Sequence, residues 1–389
     1  MKILHYINTF SKPSETFVYD QITNLENEGV NNYILTQKRV LKKERPFNEN
    51  KIYITKERKR YTTEKALHKI FYWRKYNLRN PKKFLKVINE VNPDVIHAHF
   101  GNNGIFIKKI LEKYDLNIPL IISFHGTDIT SKPALDFTYR QEIKNLKTYP
   151  HLICTAHTNF LKNKLIEYEV PENKIEMLTN TYNKNFSKAR KESFFNYGDT
   201  FKIVNTARFI NWKGHKYLLE AFKKLVDNFY SNSELTFLGD GDTRKEMENL
   251  AEKMNIKEKV NFMGMVEHQK IPEILKDHDV YVQPSIIDPD TYQREGSPIS
   301  VLEPITVGLP VIVTNTGGMP ETVLEDNQQF SFIVPEKDPD AIYQIFKRMI
   351  SNEYQFRDNK EYAQRVMNKF SPEKNINKTI DIYKKIAKK

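Results

Sequence analysis

Short apolar runs alternate with longer amphipathic runs along the whole chain, and this alternation predicts strands and helices in turn. Amphipathic runs such as residues 14–28 and 103–114 have the spacing of helices. In the first half, apolar runs of strand length lie at residues 2–7, 33–36, 95–99, 120–124, 152–155 and 175–178. Strands that alternate with helices are typical of parallel sheets covered by helices on both faces.

A polar, weakly patterned stretch at residues 183–200 interrupts this alternation, which then begins again. The second series of strands is predicted at residues 202–206, 235–238, 260–263, 280–283, 311–313 and 332–334. The predicted fold class is therefore α/β, with two doubly wound domains, which also suits a length of 389 residues. We predict domains at 1–190 and 200–371, with a last helix at 372–389 whose return to the first domain is left open. Ligands of such sheets bind at the carboxyl ends of strands, so a cleft between the domains is the expected site.

Composition is ordinary for a globular protein, with 39% hydrophobic and 28% charged residues. The single cysteine, Cys154, excludes an intrachain disulfide and fits a reducing compartment. Apolar runs are strand-sized, and the N-terminal run is too short for a signal peptide. We therefore expect a cytoplasmic protein.

Glu295 and Glu303 flank a glycine-bearing helix start, Gly296-Ser-Pro298. Ser297 is expected to cap the helix, Pro298 suits a first turn, and free N–H groups there suit an anion or a sugar hydroxyl. The spacing suits one carboxylate at the mouth of a ligand crevice and a second deeper in it.

Two further loops follow predicted strands of the second half. Arg208 and Lys213 lie in one strand-to-helix loop, where two permanent cations could neutralise a diphosphate or simply be solvated. Gly239 and Gly241 form a G-x-G after the next strand, which alone is a weak phosphate-binding signal and suits a tight turn equally well.

Taken in order, these elements resemble the nucleotide-sugar-binding half of family 4 retaining glycosyltransferases. The sequence segments that carry the resemblance are Arg208 with Lys213, Gly239-Asp-Gly241, Phe262-Met-Gly-Met265, Gln283-Pro-Ser285, Glu295 with Glu303, Gly317-Gly318 and Pro320-Glu321. The resemblance covers essentially the whole chain and implies the GT-B fold, in which two Rossmann-like domains face each other across a cleft. It also implies a nucleoside diphosphate sugar, UDP- or GDP-linked, as donor substrate and no cofactor.

By this resemblance, Arg208 and Lys213 bind the donor diphosphate, Glu295 contacts the donor sugar, and Glu303 binds the ribose hydroxyls. Glu295 is then a positioning and electrostatic residue in a front-face, retaining transfer of a hexose, and no catalytic metal is implied. The remaining donor-binding residues implied are Gly239, Gly241, Met263, Met265, Gly296, Ser297, Pro298 and Ile299.

The first half also contains candidate residues. His125, in Ile122-Ser-Phe-His-Gly-Thr-Asp128, resembles the histidine-glycine element that lies against the donor sugar, with Asp128 as its companion. Ser14 and Glu15, in Ser-Glu-Thr-Phe17, stand where many members have a glycine-rich loop. This departure resembles the branch that builds bacterial surface and exopolysaccharides, and by this resemblance Ser14, Glu15 and Asp128 are expected on the acceptor side. A helix cap and a packing face are the alternative reading of this segment.

Two patterns suggest metal ligands without completing a site. His97 and His99 alternate on one strand, but no third ligand is evident near them in the sequence, so His99 is expected to line the acceptor side. Asp288-Pro-Asp290 has the form of a metal-binding D-x-D, but it lies in the wrong domain for that use. We therefore predict no metal site.

The predicted function is transfer of a sugar to a glycan or lipid-linked saccharide acceptor in cell-surface polysaccharide biosynthesis. A GT-B-related sugar-nucleotide epimerase is the first alternative, with a different acidic and histidine set expected. A nucleic-acid-binding protein is the second, and it depends on the net charge of +12 alone.

Residues 37–86 are strongly basic, with 18 Lys or Arg and 4 Asp or Glu. Within them, residues 64–78 combine aromatic and cationic side chains, which suits a helix at an anionic bilayer surface as well as a solvated helix packed on the sheet. We predict peripheral association with the inner face of the cell membrane.

Reversing the charges of Lys56, Arg58, Lys59 and Arg60 to glutamate should weaken binding to vesicles that contain anionic lipid, because each cation near such a surface contributes about 1 kcal/mol. Vesicle co-sedimentation at low and high salt measures this. Unchanged binding after charge reversal contradicts the prediction.

Overall fold

The chain divides into two units in the structure, a computed structural model that describes residues 1–12, 15–55, 81–191, 195–323, 330–351 and 360–388. The first unit comprises Met1–His157, Leu161–Leu178 and Glu373–Lys389. The second comprises Thr158–Phe160 and Thr179–Pro372. The change of unit at Leu178 and Thr179 precedes the polar stretch at 183–200, so the first domain ends earlier than residue 190. The last helix belongs to the first unit.

A seven-stranded parallel sheet forms the first unit, in the order β3-β2-β1-β4-β5-β6-β7. Its strands are β1 (Lys2–Phe10), β2 (Asn31–Arg39), β3 (Ile52–Ile54), β4 (Val95–His99), β5 (Leu120–Ser123), β6 (Leu152–Ala156) and β7 (Ile175–Met177). Its helices are α1 (Thr16–Asn27), α2 (Pro81–Val91), α3 (Gly101–Lys113), α4 (Ser131–Leu135), α5 (Phe137–Lys144), α6 (Asn159–Glu167) and, at the C-terminus, α13 (Pro372–Ala387). The sequence prediction missed β3, which has only three residues and lies in the basic segment.

The second unit has a six-stranded parallel sheet in the order β10-β9-β8-β11-β12-β13. Its strands are β8 (Phe201–Thr206), β9 (Ser233–Leu238), β10 (Val260–Gly264), β11 (Val280–Gln283), β12 (Val311–Thr314) and β13 (Ser331–Val334). Its helices are α7 (His215–Asn228), α8 (Arg244–Lys253), α9 (Ile271–Lys276), α10 (Ile299–Val307), α11 (Pro339–Ile350) and α12 (Lys360–Lys369). The predicted fold class, two doubly wound parallel sheets, is confirmed.

Strand order reverses once in each sheet, and this reversal locates the candidate sites. In the first unit, β1 pairs with β2 on one side and β4 on the other. In the second unit, β8 pairs with β9 and β11 in the same way. The connections that leave the carboxyl ends of such a strand pair turn in opposite directions, which opens a crevice suited to a ligand.

The last helix covers one face of the first sheet. Ile376, Ile382, Tyr383 and Ile386 of α13 join a buried cluster with one residue from each of four strands. Those four strand residues are Ile3, Val95, Ile121 and Ile153. Burial of this apolar stripe explains why the helix returns to the first unit.

None of the helices in the described part of the chain is long and apolar enough to span a bilayer. Half of the basic segment, including Lys56, Arg58, Lys59, Arg60 and residues 64–78, lies outside the described residues.

Replacing Tyr383 with phenylalanine should destabilise the first unit. The substitution keeps the ring in the core but removes the hydroxyl that bonds His97 Nδ1 at 2.7 Å. A buried polar atom left without its partner costs about 1–3 kcal/mol, so we expect a lower urea midpoint. Lys384→Ala, on the exposed face of the same helix, is the matched control and should leave the midpoint unchanged. Equal midpoints for Tyr383→Phe and the parent chain would disprove the contact's role.

Candidate functional site

In the second unit, the candidate site begins with the loop that follows β8. Gly239 and Gly241 pack against the backbone of this loop, where an added Cβ would lie 2.0 Å from the Ala207 oxygen and 2.5 Å from the Phe209 oxygen. Both glycines also have positive φ, 139° and 152°. The G-x-G therefore serves close packing that supports the Arg208 loop.

Arg208 is exposed and forms no ion pair within the described residues. A few residues on, Lys213 ends a short 3₁₀ turn and Gly214 follows in the left-handed conformation, with φ of 71°. A Cβ on Gly214 would lie 1.9 Å from the Pro284 oxygen. This contact brings the Lys213 turn against the chain that leaves β11.

Lys213 Nζ forms an ion pair with Glu295 Oε1 at 2.7 Å, and the two side chains are only 12% and 5% exposed. Ser285 Oγ donates to the same oxygen at 2.7 Å. Behind it, Gln283 Nε2 donates to Ser285 Oγ and Tyr281 OH donates to Gln283 Oε1. Each group in this series donates to the next, so the Glu295 carboxylate is held in one orientation.

The helix start after Glu295 differs from the prediction. Helix α10 begins at Ile299, and Pro298 is its extended N-cap residue, with φ −73° and ψ 119°. Ser297 does not cap the helix, and its buried Oγ has no partner within the described chain. Proline at the N-cap, one residue before the expected first turn, moves the helix start past Ser297. The predicted capping role is therefore wrong.

Two glycines fix the backbone of this segment from the other side. The backbone N–H of Gly318 donates to the backbone carbonyl oxygen of Glu295 at 3.0 Å. A Cβ on Gly318 would lie 1.9 Å from the backbone carbonyl oxygen of Gly296. One on Gly317 would lie 2.1 Å from the backbone carbonyl oxygen of Glu295. Asn180 Nδ2 adds a bond to the Ser297 oxygen at 2.7 Å.

Glu303 lies inside α10 and is 6% exposed. Its Oε1 is 2.9 Å from Nε2 of His268, a partner that the sequence analysis missed. Little in the sequence indicates this pair, because His268 stands alone in a polar segment 35 positions from Glu303. The helix continues through Pro304.

Met263 and Met265 are 43% and 72% exposed at the end of β10. The turn between them uses Gly264, with φ of 73°. Two exposed thioether side chains offer a flexible apolar surface for a flat ligand group.

Asp288 acts as a turn former. Its Oδ1 accepts from the backbone N–H groups of Asp290 and Thr291 at 3.0 and 2.8 Å. Burial raises the pKa of Asp288, but these hydrogen bonds outweigh it and leave the pKa below its usual value. The carboxylate is thus used within its own loop.

In the first unit, His125 follows β5 and Asp128 organises its loop. The buried Asp128 carboxylate accepts from the backbone N–H groups of Gly101, His125 and Gly126 at 2.8, 3.0 and 2.9 Å. Burial raises the pKa of Asp128 despite these bonds. Asp128 therefore has a clear structural use, holding the His125 loop against the start of α3.

Five histidines cluster on or just after strands β1, β4, β5 and β6 of the first sheet: His5, His97, His99, His125 and His157. The expectation that no third ligand lies near His97 and His99 is wrong, because His5 Nδ1 is 3.2 Å from His99 Nε2. His99 is fully buried.

Hydrogen bonding argues against a metal at His5, His97 and His99. His97 uses both ring nitrogens, toward Tyr383 OH and Ser123 Oγ, each at 2.7 Å. His5 also uses both, toward His99 and Asn32. A cation would have to break these bonds to bind there.

Burial lowers the pKa of every histidine in the cluster. The pKa of His5 falls to about 4, and the pKa values of His97, His99 and His125 fall well below the usual range, with neighbouring histidines as the next cause for these three. The pKa of His157 is lowered by burial too. These imidazoles are therefore neutral at neutral pH.

The start of α1 differs from the predicted start at residue 14. The helix begins at Thr16, with Glu15 at its N-cap and no capping bond from the side chain. Glu15 instead pairs with Lys12 at 2.8 Å. Ser14 lies outside the described residues.

Comparisons with known proteins match nearly the whole chain. Residues 14–185 match the family described as Glycosyltransferase Family 4, and residues 186–366 match the family described as Glycosyl transferases group 1. The putative colanic acid biosynthesis glycosyltransferase WcaL of Escherichia coli K12 is 25% identical over 88% of this chain and 89% of its own length.

Two further proteins are similar to this chain. The UDP-Gal:α-D-GlcNAc-diphosphoundecaprenol α-1,3-galactosyltransferase of Escherichia coli is 26% identical over 77% of both chains. The crystal structure of Anabaena HepE in complex with UDP has a TM-score of 0.77 at 16% identity, covering 98% of this chain and 99% of that one. The epimerase and nucleic-acid-binding alternatives gain no support from these matches.

Acid should destabilise the protein below about pH 6.5. Seven histidines have a lowered pKa: the half-buried His125 and the buried His5, His97, His99, His157, His215 and His278. In the unfolded chain they take up protons near pH 6.5, whereas in the folded chain they stay neutral to lower pH. Stability is thus fully present above pH 6.5 and falls below it, by up to about 1.4 kcal/mol per pH unit for each histidine.

Urea unfolding at pH 7.5, 6.5 and 5.5 measures this dependence. We expect the free energy of unfolding to decline below about pH 6.5. In His157→Gln the slope of this decline should be smaller by the contribution of about one proton. His151→Gln, at a partly exposed histidine of the same unit, is the control and should keep the parent slope. Equal stability at pH 7.5 and 5.5 contradicts the neutral state of the cluster.

Proposed function

Because this chain belongs to glycosyltransferase family 4 and the group 1 glycosyltransferases, with the GT-B fold, we propose that it is a retaining, metal-independent hexosyltransferase that uses a UDP-sugar donor. The observation that carries the proposal is the buried Lys213–Glu295 pair at the strand reversal of the second unit, in the same loop as Arg208, a cation without an ion pair among the described residues. UDP is favoured over GDP because the HepE complex holds UDP and the galactosyltransferase relative is named for UDP-Gal.

Arg208 and Lys213 supply the charge that a diphosphate leaving group needs. Arg208 is exposed and free of an acidic partner within the described chain, so its guanidinium can bond phosphate oxygens. Lys213 shares its charge between Glu295 and a phosphate. With two cations placed in this way, departure of the diphosphate requires no divalent cation.

Glu295 acts by position and charge. Both of its donors, Lys213 Nζ and Ser285 Oγ, fall on Oε1, which lowers the nucleophilicity of the carboxylate. Its second oxygen can accept from a donor-sugar hydroxyl and stabilise positive charge that develops at the anomeric carbon. This arrangement favours front-face attack, in which the leaving phosphate accepts the acceptor's proton, over a covalent glycosyl intermediate.

Glu303 binds the ribose hydroxyls, and the flexible side chains of Met263 and Met265 contact the base. His268 is a further positioning residue of this subsite, because its ring nitrogen bonds Glu303 Oε1 and turns the other carboxylate oxygen toward the ligand. Gly296, Ser297 and Ile299 supply backbone N–H groups near the sugar or phosphate oxygens, while Pro298 shapes the turn that presents them.

The acceptor is a glycan or a lipid-linked saccharide of cell-surface polysaccharide assembly. This proposal is supported by the names of two relatives, one for colanic acid biosynthesis and one for a diphosphoundecaprenol-linked acceptor. A lipid-linked acceptor lies in a membrane, which suits a cytoplasmic enzyme whose basic segment, residues 37–86, docks on an anionic surface.

A thermal-shift screen of UDP, UDP-sugars and GDP-mannose tests the proposal. We expect UDP and at least one UDP-sugar to stabilise the parent chain, by about 2.7 kcal/mol at a hundredfold excess over Kd. Lys213→Ala should weaken UDP and UDP-sugars alike by about tenfold or more, because the diphosphate loses a charged partner. Glu295→Gln should weaken binding of the UDP-sugar and leave binding of UDP unchanged.

Lys191→Ala is the matched control, because Lys191 also forms a largely buried ion pair in the second unit, with Asp279 at 3.2 Å. It should lower stability and leave nucleotide binding unchanged. Failure of every nucleotide to stabilise the parent chain refutes the proposed function.

A further inference from the structure

Two of the five clustered histidines have a buried ring nitrogen without a hydrogen-bond partner in the described chain. These atoms are Nε2 of His125 and Nδ1 of His99. Buried polar atoms are nearly always paired within the protein or with a bound molecule, so two such atoms in one cluster require an explanation. The location of the proton on each ring decides whether these atoms are donors or acceptors.

The bonds of His157 determine the proton on His125. His157 Nδ1 is 2.6 Å from the Leu178 carbonyl oxygen, which can only accept, so this nitrogen carries the proton. His157 is neutral, because burial lowers its pKa, and its Nε2 is therefore unprotonated. His125 Nδ1, 2.9 Å away, must donate to that nitrogen. It follows that Nε2 of His125 is an unprotonated acceptor.

Asn32 determines the proton on His99 through His5. The Asn32 amide nitrogen donates to Glu26 Oε2 at 3.1 Å and to the Val30 oxygen at 3.0 Å, which fixes the orientation of the amide. Its Oδ1 therefore accepts from His5 Nε2 at 3.1 Å. His5 Nδ1 is then unprotonated and accepts from His99 Nε2 at 3.2 Å. Nδ1 of His99 is thus also an unprotonated acceptor.

One series of bonds begins at the Leu178 carbonyl oxygen and the other at the Asn32 amide oxygen, and both of these atoms can only accept. Each series ends at an unprotonated imidazole nitrogen. The rings of His99 and His125 lie with centroids 6.0 Å apart and are tilted by only 20°. The His125 ring is partly exposed, and Phe17 and Phe100 pack on it at 4.7 and 4.5 Å. Phe100 has a φ of 73°, a strained value for a residue with a side chain.

We propose that His157 is a positioning residue that holds His125 with an unprotonated Nε2, as a hydrogen-bond acceptor for a hydroxyl group of a sugar ligand. A hydroxyl that reaches this nitrogen must donate its proton, so the first unit selects a ligand group that donates there. His5 fixes the proton of His99 in the same way inside the buried cluster. The identity of the ligand depends on the proposed function, whereas the proton positions do not.

Imidazole nitrogen NMR on the full-length protein tests the proton positions without any ligand. Spectra of His125→Gln, His99→Gln and His157→Phe assign the signals by their loss. In the parent chain we expect His125 protonated on Nδ1 and His99 protonated on Nε2. In His157→Phe, the His125 signals should shift toward protonation on Nε2, because the acceptor for Nδ1 is gone. A parent spectrum with His125 protonated on Nε2 overturns the proposal.

Calorimetric titration of UDP and of UDP-glucose, UDP-galactose and UDP-N-acetylglucosamine tests the consequence for binding. For the UDP-sugar that binds tightest, His157→Phe should lower the affinity by about tenfold, the effect of losing one well-placed hydrogen bond from a buried site. Affinity for UDP should stay within about twofold. His157→Gln, whose Oε1 can still accept from His125 Nδ1, should restore most of the UDP-sugar affinity.

His278→Phe is the matched control, since His278 Nδ1 also bonds a backbone oxygen at 2.6 Å, that of Ile274 in the second unit. It should change neither the His125 signals nor the preference for UDP-sugar over UDP. Equal UDP-sugar affinity in His157→Phe and the parent chain overturns the positioning role, even when the NMR result agrees. Failure of UDP itself to bind refutes the proposed function and leaves the NMR test valid.

Discussion

The buried Lys213–Glu295 ion pair is the interaction on which the second unit's site depends. Two charges removed from water are costly unless their geometry is fixed and their remaining bonds are satisfied. Ser285 satisfies part of this requirement by donating to the same carboxylate oxygen that Lys213 contacts. Glycines do the rest, because Gly214 and Gly318 allow backbone contacts that any side chain would block. The site is thus a preorganised arrangement of charges at the point where strand order reverses.

The first unit orients its polar groups by hydrogen bonds between neutral side chains and not by an ion pair. Its five clustered histidines are neutral imidazoles, and each is oriented by a hydrogen bond to a neighbour. Asp128 holds the His125 loop through three backbone N–H groups, and the Leu178 carbonyl fixes the proton of His157. One unit therefore offers fixed charge suited to a diphosphate, and the other offers oriented acceptors suited to hydroxyl groups.

Much of this architecture was predictable because strand and helix periodicity is local. Residues 95–99 and 280–283 were predicted as strands with the bounds that the structure gives. Pairings between distant segments were harder to predict, and neither His268 with Glu303 nor His5 with His99 leaves a local pattern. The glycines at 239 and 241 were visible, but their contact with the Arg208 loop appears only in three dimensions. The predicted cap at Ser297 was wrong because Pro298 takes an extended conformation and the helix begins only at Ile299.

A crystal structure of the full-length protein with UDP tests the central claim most directly. The account predicts the diphosphate within hydrogen-bond distance of Arg208 and Lys213, and the ribose hydroxyls against the Glu303 carboxylate. The Lys213–Glu295 pair should remain intact, since its neighbours hold it before the ligand arrives. UDP bound away from Arg208 and Lys213, or a ribose that does not contact Glu303, would contradict the account.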